Sequence, residues 1–224
     1  MRFALTLNSM PEVHEPLPLD VIASRTLAHY ESNAVGFWDG TRDHDVTQNY
    51  CALLNALGRP APLRILDFGC GPGRDLVALR ATGHIAVGLD GCASFVAMAK
   101  AHSGCDVLHQ SFFRIALADQ TFDGIFANAS LFHVPQAVLP RVLRDLFAAL
   151  VPGGVLFCSN PRSFDTDTEG WQGERYGSYL TIESWTRVIG AAGFVLEHQF
   201  LRPTGKPTSQ QPWLAMVWRK PSAS

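Results

Sequence analysis

The sequence predicts an α/β fold, a doubly wound and mainly parallel seven-stranded sheet with helices on both faces and a helical N-terminal extension. Three observations predict it. Short apolar runs alternate with amphipathic stretches from Leu63 to Asn160, and turn-forming residues separate the runs. The 224 residues are also 47% hydrophobic and 17% charged, enough to build a core on each face of a sheet.

Residues 1–18 carry Pro11, Glu15, Pro16 and Pro18, which break any regular pattern, so an irregular tail is expected. Leu19, Ile22, Ala23, Leu27 and Tyr30 then recur at helical spacing up to Ser32, and Thr47–Leu57 repeats the pattern. The two helices are expected to be joined by the connector Gly36-Phe37-Trp38-Asp39-Gly40-Thr41. After Gly58-Arg59-Pro60-Ala61-Pro62, strands are expected at Leu63–Phe68, Ile85–Leu89, Asp106–His109, Phe122–Asn128 and Val155–Asn160. Helices at Asp75–Ala81, Ser94–Ala101 and Gln136–Leu150 would cross between them, and Pro152-Gly153-Gly154 reads as a turn into the fifth strand. A helix over Thr181–Ala192, stopped by Gly193, leads to strands at Phe194–Phe200 and Trp213–Trp218. Residues 19–224 thus read as one domain. It divides into a helical cap (19–62), a core carrying the glycine-rich turn (63–160) and C-terminal elements on the substrate side (161–224).

A formal net charge of −2 offers no basic excess for broad capture of nucleic acid or an anionic membrane. The five cysteines are scattered and lack a paired CxxC, which points to reduced thiols, no disulfide framework and no metal. Asp43-His44-Asp45 is not read as a metal site, because adjacent side chains rarely point at one ion. Met1–Leu7 is too short for a signal segment, and no run of about 18 apolar residues suggests a membrane span. The expectation is a cytoplasmic protein.

Ile65-Leu66-Asp67-Phe68 ends a buried strand, and Gly69, Gly71 and Gly73 follow before a helix that begins near Arg74. Glycines at such a turn permit positive φ and close approach to a ligand, while the next helix start presents unpaired amides. Ligands of open α/β sheets bind at the carboxyl ends of the strands, where this turn falls. Its spacing is G-x-G-x-G rather than the G-x-G-x-x-G of a dinucleotide site, and Asp67 stands just before it. Such an acid repels a pyrophosphate and attracts an ammonium. Asp90 closes the next strand, Val87-Gly88-Leu89-Asp90, where a carboxylate can accept both hydroxyls of a ribose.

On these residues the chain resembles the class I S-adenosylmethionine-dependent methyltransferases, from about Leu63 to Asn160 and more weakly through Trp218. The resemblance implies a Rossmann-like sheet with S-adenosylmethionine as cofactor. Ile65–Gly73 would be its first motif and Asp90 its ribose-binding acid. Phe122-Asp123-Gly124-Ile125-Phe126 would be the fourth strand, with Leu150–Leu156 leading into the fifth. The implied cofactor contacts are Asp67, Gly69, Cys70, Gly71, Gly73, Asp90 and Gly91, with Cys70 read as a small buried apolar group rather than a reactive thiol. The family's acid after the third strand is replaced by Gln110-Ser111-Phe112. Gln110 or Ser111 is left to accept from the adenine amine, and Phe112 to pack on its ring. The resemblance also sets Asn128 near the methionyl part and His133 near the acceptor, where His133 is either a general base or a structural cap.

For the acceptor, the candidates are Phe37, Trp38 and Arg42 in the segment Phe37–Asp45, Arg162 after the fifth strand, and Trp171, Arg175 and Tyr176 in a glycine-flanked segment that reads as a lid or as a surface loop. Near-neutral charge favours a small-molecule acceptor: an amine, a thiol or a carboxylate. Arg162 and Arg175 point to the last through the guanidinium fork. A tRNA wobble-base methyltransferase, a nicotinamide oxidoreductase and a non-catalytic cofactor-binding protein are the alternative readings.

Overall fold

The computed structural model describes residues 17–222. All of the expected irregular tail except Leu17 and Pro18 lies outside them. Three helices lead the chain, α1 (Leu19–Ser32), α2 (Ala34–Thr41) and α3 (Thr47–Leu57). An alternating core follows: β1 (Arg64–Phe68), α4 (Arg74–Ala81), β2 (Ile85–Asp90), α5 (Ala93–Ser103), β3 (Asp106–His109), β4 (Phe122–Asn128), α6 (Leu139–Ala149) and β5 (Leu150–Pro161). The remainder is β6 (Thr168–Gln172), β7 (Arg175–Tyr179), α7 (Ile182–Ala191), β8 (Val195–Arg202) and β9 (Trp213–Arg219). Among the described residues no helix is long and apolar enough to cross a membrane.

Seven strands form one sheet in the order β3-β2-β1-β4-β5-β9-β8, parallel from β3 through β5, with β9 antiparallel to both of its neighbours. The winding reverses between β1 and β4, which opens a crevice at the carboxyl ends of those two strands. Side chains alternate across the sheet. Ile65 of β1 joins a layer with Leu53 and Leu57 of α3, Leu76 and Leu79 of α4 and Ala99 of α5. Leu66 and Phe68 join the opposite layer with α6, α7 and Trp185. In α6, Leu139, Val142, Leu143 and Leu146 fall on one helical stripe and are at most 1% exposed. Each such burial is worth about 1.5–3 kcal/mol, so this stripe anchors the helix more firmly than propensity could.

Three expectations are corrected. The connector Gly36–Thr41 is part of helix α2, because Ala34 is buried and Phe37 packs with Phe95 and Cys92 against α5. That packing outweighs the poor helix propensity of Gly36 and Gly40. Pro152–Gly154 lies inside the long strand β5, whose pairing with β4 shifts register between Phe122 and Gly124, rather than before it. The segment expected as a lid or loop is the antiparallel hairpin β6–β7.

Candidate functional site

The glycine turn is pinned to β2: the amides of Gly69 and Cys70 both donate to the Leu89 carbonyl, at 2.8 and 3.1 Å. Gly69 has φ +80°, and a Cβ there would stand 2.4 Å from Cβ of Ser130, so the approach of the β4 edge requires glycine. Gly73, at φ +97°, lies 2.8 Å by the same measure from Cα of Ala99, which brings α4 and α5 together. Asp90 Oδ2 accepts from the Gly71 amide at 3.0 Å and Oδ1 from the Cys92 amide at 2.9 Å. Burial pushes this carboxyl up to about 6, against the pull of those amides. Cys70 is buried, and burial together with Asp67 and Asp90 drives its thiol pKa far up, so it packs as a small apolar group.

Asp67, buried, and Asn128, half-buried, point to the α3/α4 face. Asn49 Nδ2 donates to Asn128 Oδ1 at 2.9 Å, and Asn128 Nδ2 to Asp75 Oδ2 at 3.3 Å. The Arg74 guanidinium holds both oxygens of Asp75, at 2.8 and 2.9 Å. Asp67 is 1% exposed and its Oδ2 has no partner. Burial raises its pKa well above the usual carboxylate range, the nearby Asp75 adds to the rise, and Arg74 opposes it.

A cavity opens beside the turn. Gly69, Gly71, Asp90 and Gly91 line one side, Ser111, Phe112 and Phe113 another, and Ala129, Ser130 and His133 the end at β4. Helix α1 roofs it with Ala23, Thr26, Leu27 and Tyr30, and α2 adds Phe37. Phe112 packs on Phe68 at 4.5 Å between ring centroids. Gln110 is committed to its own loop, bonding the amide and carbonyl of Ala116, which leaves Ser111 at the cavity wall. Ala129 sits at φ +59°, a conformation that costs a non-glycine residue about 1–3 kcal/mol and here turns the chain toward Ser130.

His133 follows in a 3-10 turn, Leu131–His133. Its Nδ1 is 2.7 Å from the Tyr176 carbonyl, which can only accept, so Nδ1 carries the proton. Nε2 therefore accepts from the Tyr30 hydroxyl, 2.8 Å away. Burial lowers this imidazole to about 4, so it is neutral at physiological pH.

Of the acceptor-side candidates, only Phe37 lines the cavity. Trp38 stacks on His102, with centroids 4.4 Å apart, and Arg42 is an exposed partner of Asp39 and Asp43. Arg162 is tied to the carbonyls of Gln211 and Thr208 and covers Phe164. Trp171 packs beneath Arg25 and against the buried Tyr176. Arg175 is exposed and does not line the cavity, but its charge acts on Tyr30, His133 and Tyr179. Asn128 does not reach the cavity wall, because its amide is spent between Asn49 and Asp75. Tyr30 and Asn49 were absent from the sequence-based set. A tyrosine within the apolar stripe of α1, whose hydroxyl needs a partner once buried, was the available signal for the first.

A family model described as a methyltransferase domain matches residues 42–199. The chain is 36% identical over 126 residues to trans-aconitate 2-methyltransferase of Variovorax paradoxus, an alignment covering 52% of this chain and 45% of that protein. It is 31% identical over 142 residues to malonyl-[acyl-carrier protein] O-methyltransferase of Xylella fastidiosa, covering 61% and 45% respectively. The chain thus spans about half the length of these curated relatives. Among solved structures, Burkholderia thailandensis 1,6-didemethyltoxoflavin-N1-methyltransferase with bound 1,6-didemethyltoxoflavin and S-adenosylhomocysteine shares the fold. Its TM-score is 0.75, at 21% identity over 94% of both chains. The family match takes in the glycine turn, Asp90 and the β4 edge, and on that extent the chain belongs to the methyltransferase domain family.

Proposed function

We propose that this chain transfers a methyl group from S-adenosylmethionine to a small-molecule acceptor in the cavity beneath α1. The observation that carries the reading is one continuous cavity, with the glycine turn and Asp90 on one side and Ser130 and His133 at its end. The residues fit the cofactor. The turn lacks side chains where a ligand must come close, and Asp90 offers a carboxylate at the end of β2 for the ribose hydroxyls. Asp67 keeps an unpartnered buried oxygen next to the turn, but it does not line the cavity, and burial keeps it protonated well above the usual carboxylate range. Phe112 and Ser111 provide an apolar face and a hydroxyl for the adenine.

When bound, the cofactor supplies a methyl carbon on a sulfonium, open to in-line attack by an acceptor lone pair. The protein's task is then mainly placement. Orienting two reactants within contact distance can supply about 7–11 kcal/mol of barrier reduction. Leu27, Tyr30 and Phe37 roof the cavity, while Asn49, Asn128 and Asp75 brace one another away from its wall. His133 holds the Tyr30 hydroxyl in place. With its free lone pair already accepting from Tyr30 and its pKa near 4, this positioning role replaces that of a direct general base. Five free cysteines suit a reducing compartment, and we infer the cytoplasm.

The names of the relatives set the first acceptors to try, trans-aconitate and malonyl thioesters. Incubating the protein with S-adenosylmethionine and a panel of small acids, amines, thiols and bulk tRNA, with mass spectrometry as the readout, tests the reading. The expected result is one added methyl on a small molecule together with release of S-adenosylhomocysteine. Methylation of tRNA alone, or tight binding of NAD with none of S-adenosylhomocysteine, contradicts it.

A further inference from the structure

We infer that Arg175 and Tyr179 of β7, beside the Tyr30 hydroxyl, form an anion-binding subsite, and that the methyl acceptor carries a carboxylate. The inference rests on the proposed methyl transfer and specifies its substrate class. Strand alternation gives the first argument. Tyr176 and Ser178 face inward, Tyr176 buried against Trp171 and Ser178 donating to the Val134 carbonyl at 2.9 Å. Arg175, Gly177 and Tyr179 therefore share the opposite face of the strand.

Gly177 is the second argument. A Cβ there would lie 2.7 Å from the Tyr179 hydroxyl oxygen, so the tyrosine ring folds back across the glycine toward Arg175. Any larger residue at 177 would push the hydroxyl away from the guanidinium.

Charge is the third. The acids near this hairpin are already engaged: Glu174 receives Arg25 at 2.7 and 3.1 Å, and Glu169 accepts from the Gln136 amide and from Ser178. Among the described residues Arg175 has no acid within ion-pair reach. Its charge nonetheless acts on Tyr30, His133 and Tyr179 around the cavity end, where His133 is neutral. Tyr30 has spent its proton on His133 and its oxygen lies close to Arg175, so the donors left on this face are the remaining guanidinium N–H groups and the Tyr179 hydroxyl. A planar fork beside a hydroxyl matches a carboxylate. A cationic amine would be repelled here, and the positive charge of the sulfonium cofactor strengthens both preferences.

The test measures calorimetric binding of small mono-, di- and tricarboxylic acids, each paired with its neutral amide, to protein saturated with S-adenosylhomocysteine. Wild type, Arg175→Gln, Arg175→Lys and Tyr179→Phe are compared. At least one acid is expected to bind about tenfold or more tightly than its amide, since a hydrogen bond to a charged group is worth about 1.5–3 kcal/mol. Arg175→Gln removes that preference, Arg175→Lys keeps part of it, and Tyr179→Phe weakens it less. All three variants bind S-adenosylhomocysteine within about twofold of wild type, which separates loss of the subsite from loss of the fold. The proposal is overturned if no acid outbinds its amide, or if Arg175→Gln leaves the preference intact. Failure of the wild type to bind S-adenosylhomocysteine at all would overturn the underlying methyl-transfer reading instead.

Discussion

The two ends of the cavity are built by different means. The end at the glycine turn is made largely of backbone: amides held to the Leu89 carbonyl, a carboxylate capped by two amides, and glycines at positive φ. The far end relies on side chains of α1 and the β4 edge: Tyr30 meets His133, and His133 and Thr26 meet the backbone carbonyl and amide of Tyr176 in the β6–β7 hairpin. A backbone-built site tolerates no change at a few positions and is indifferent elsewhere. A side-chain site can be rebuilt one contact at a time, and the proposed acceptor subsite falls at this end.

The contrast can be broken most sharply at Gly69. Gly69→Val forces a branched side chain into Ser130 at an unfavourable φ and should cost about 2–4 kcal/mol, read from urea denaturation, with loss of S-adenosylhomocysteine binding in whatever folds. Unchanged stability would show that the β4 edge is not packed against the turn.

Asp90 comes next. Its pKa is raised in the folded protein, so the ionised acceptor proposed for the ribose is present above about pH 6 and is lost as pH falls below it. Affinity for S-adenosylhomocysteine should fall across that window in wild type, and Asp90→Asn should abolish the dependence. A flat profile in the wild type would remove the ribose assignment.

His133→Ala leaves the Tyr30 hydroxyl and the Tyr176 carbonyl without their partner and should cost about 1–3 kcal/mol by denaturant melts. Because the imidazole titrates near 4, the wild-type rate should show no step attributable to it between pH 6 and 8. A step near 6.5 that vanishes in His133→Ala would restore its role as a base.

The smallest effect is expected at Arg25, whose exposed pair with Glu174 ties α1 to the hairpin. Arg25→Ala should leave the melting temperature unchanged within error while hastening release of S-adenosylhomocysteine in stopped flow, because surface pairs add little stability. A large drop in melting temperature would mean that α1 depends on this clamp for folding.

How far each end could be read from sequence follows from the same contrast. The turn and Asp90 were legible because their chemistry is local: glycine spacing and a strand-end acid describe a backbone shape. The strands from β1 to β5 were legible because their apolar runs are short and punctuated. Helix α2 was not, since Gly36 and Gly40 read as breakers and tertiary contacts such as Phe37 with Phe95 and Trp38 with His102 override them. Arg175 and Tyr176 could not be separated, because adjacent residues of a strand face opposite ways and the hairpin had not been recognised. Arg162 looked equally suited to an acceptor, yet backbone carbonyls 46 and 49 residues away claim its guanidinium. Asn49 had no local signal at all, as its partner Asn128 is 79 residues distant.

Binding of S-adenosylmethionine in the cavity beneath α1 is proposed to run through the glycine turn and Asp90. Calorimetric titration of S-adenosylhomocysteine into wild type and Asp90→Ala, at a pH well above 6, tests it most directly. Saturable one-site binding is expected in wild type, weakened about tenfold or more in the variant. Equal affinities in the two proteins would contradict it.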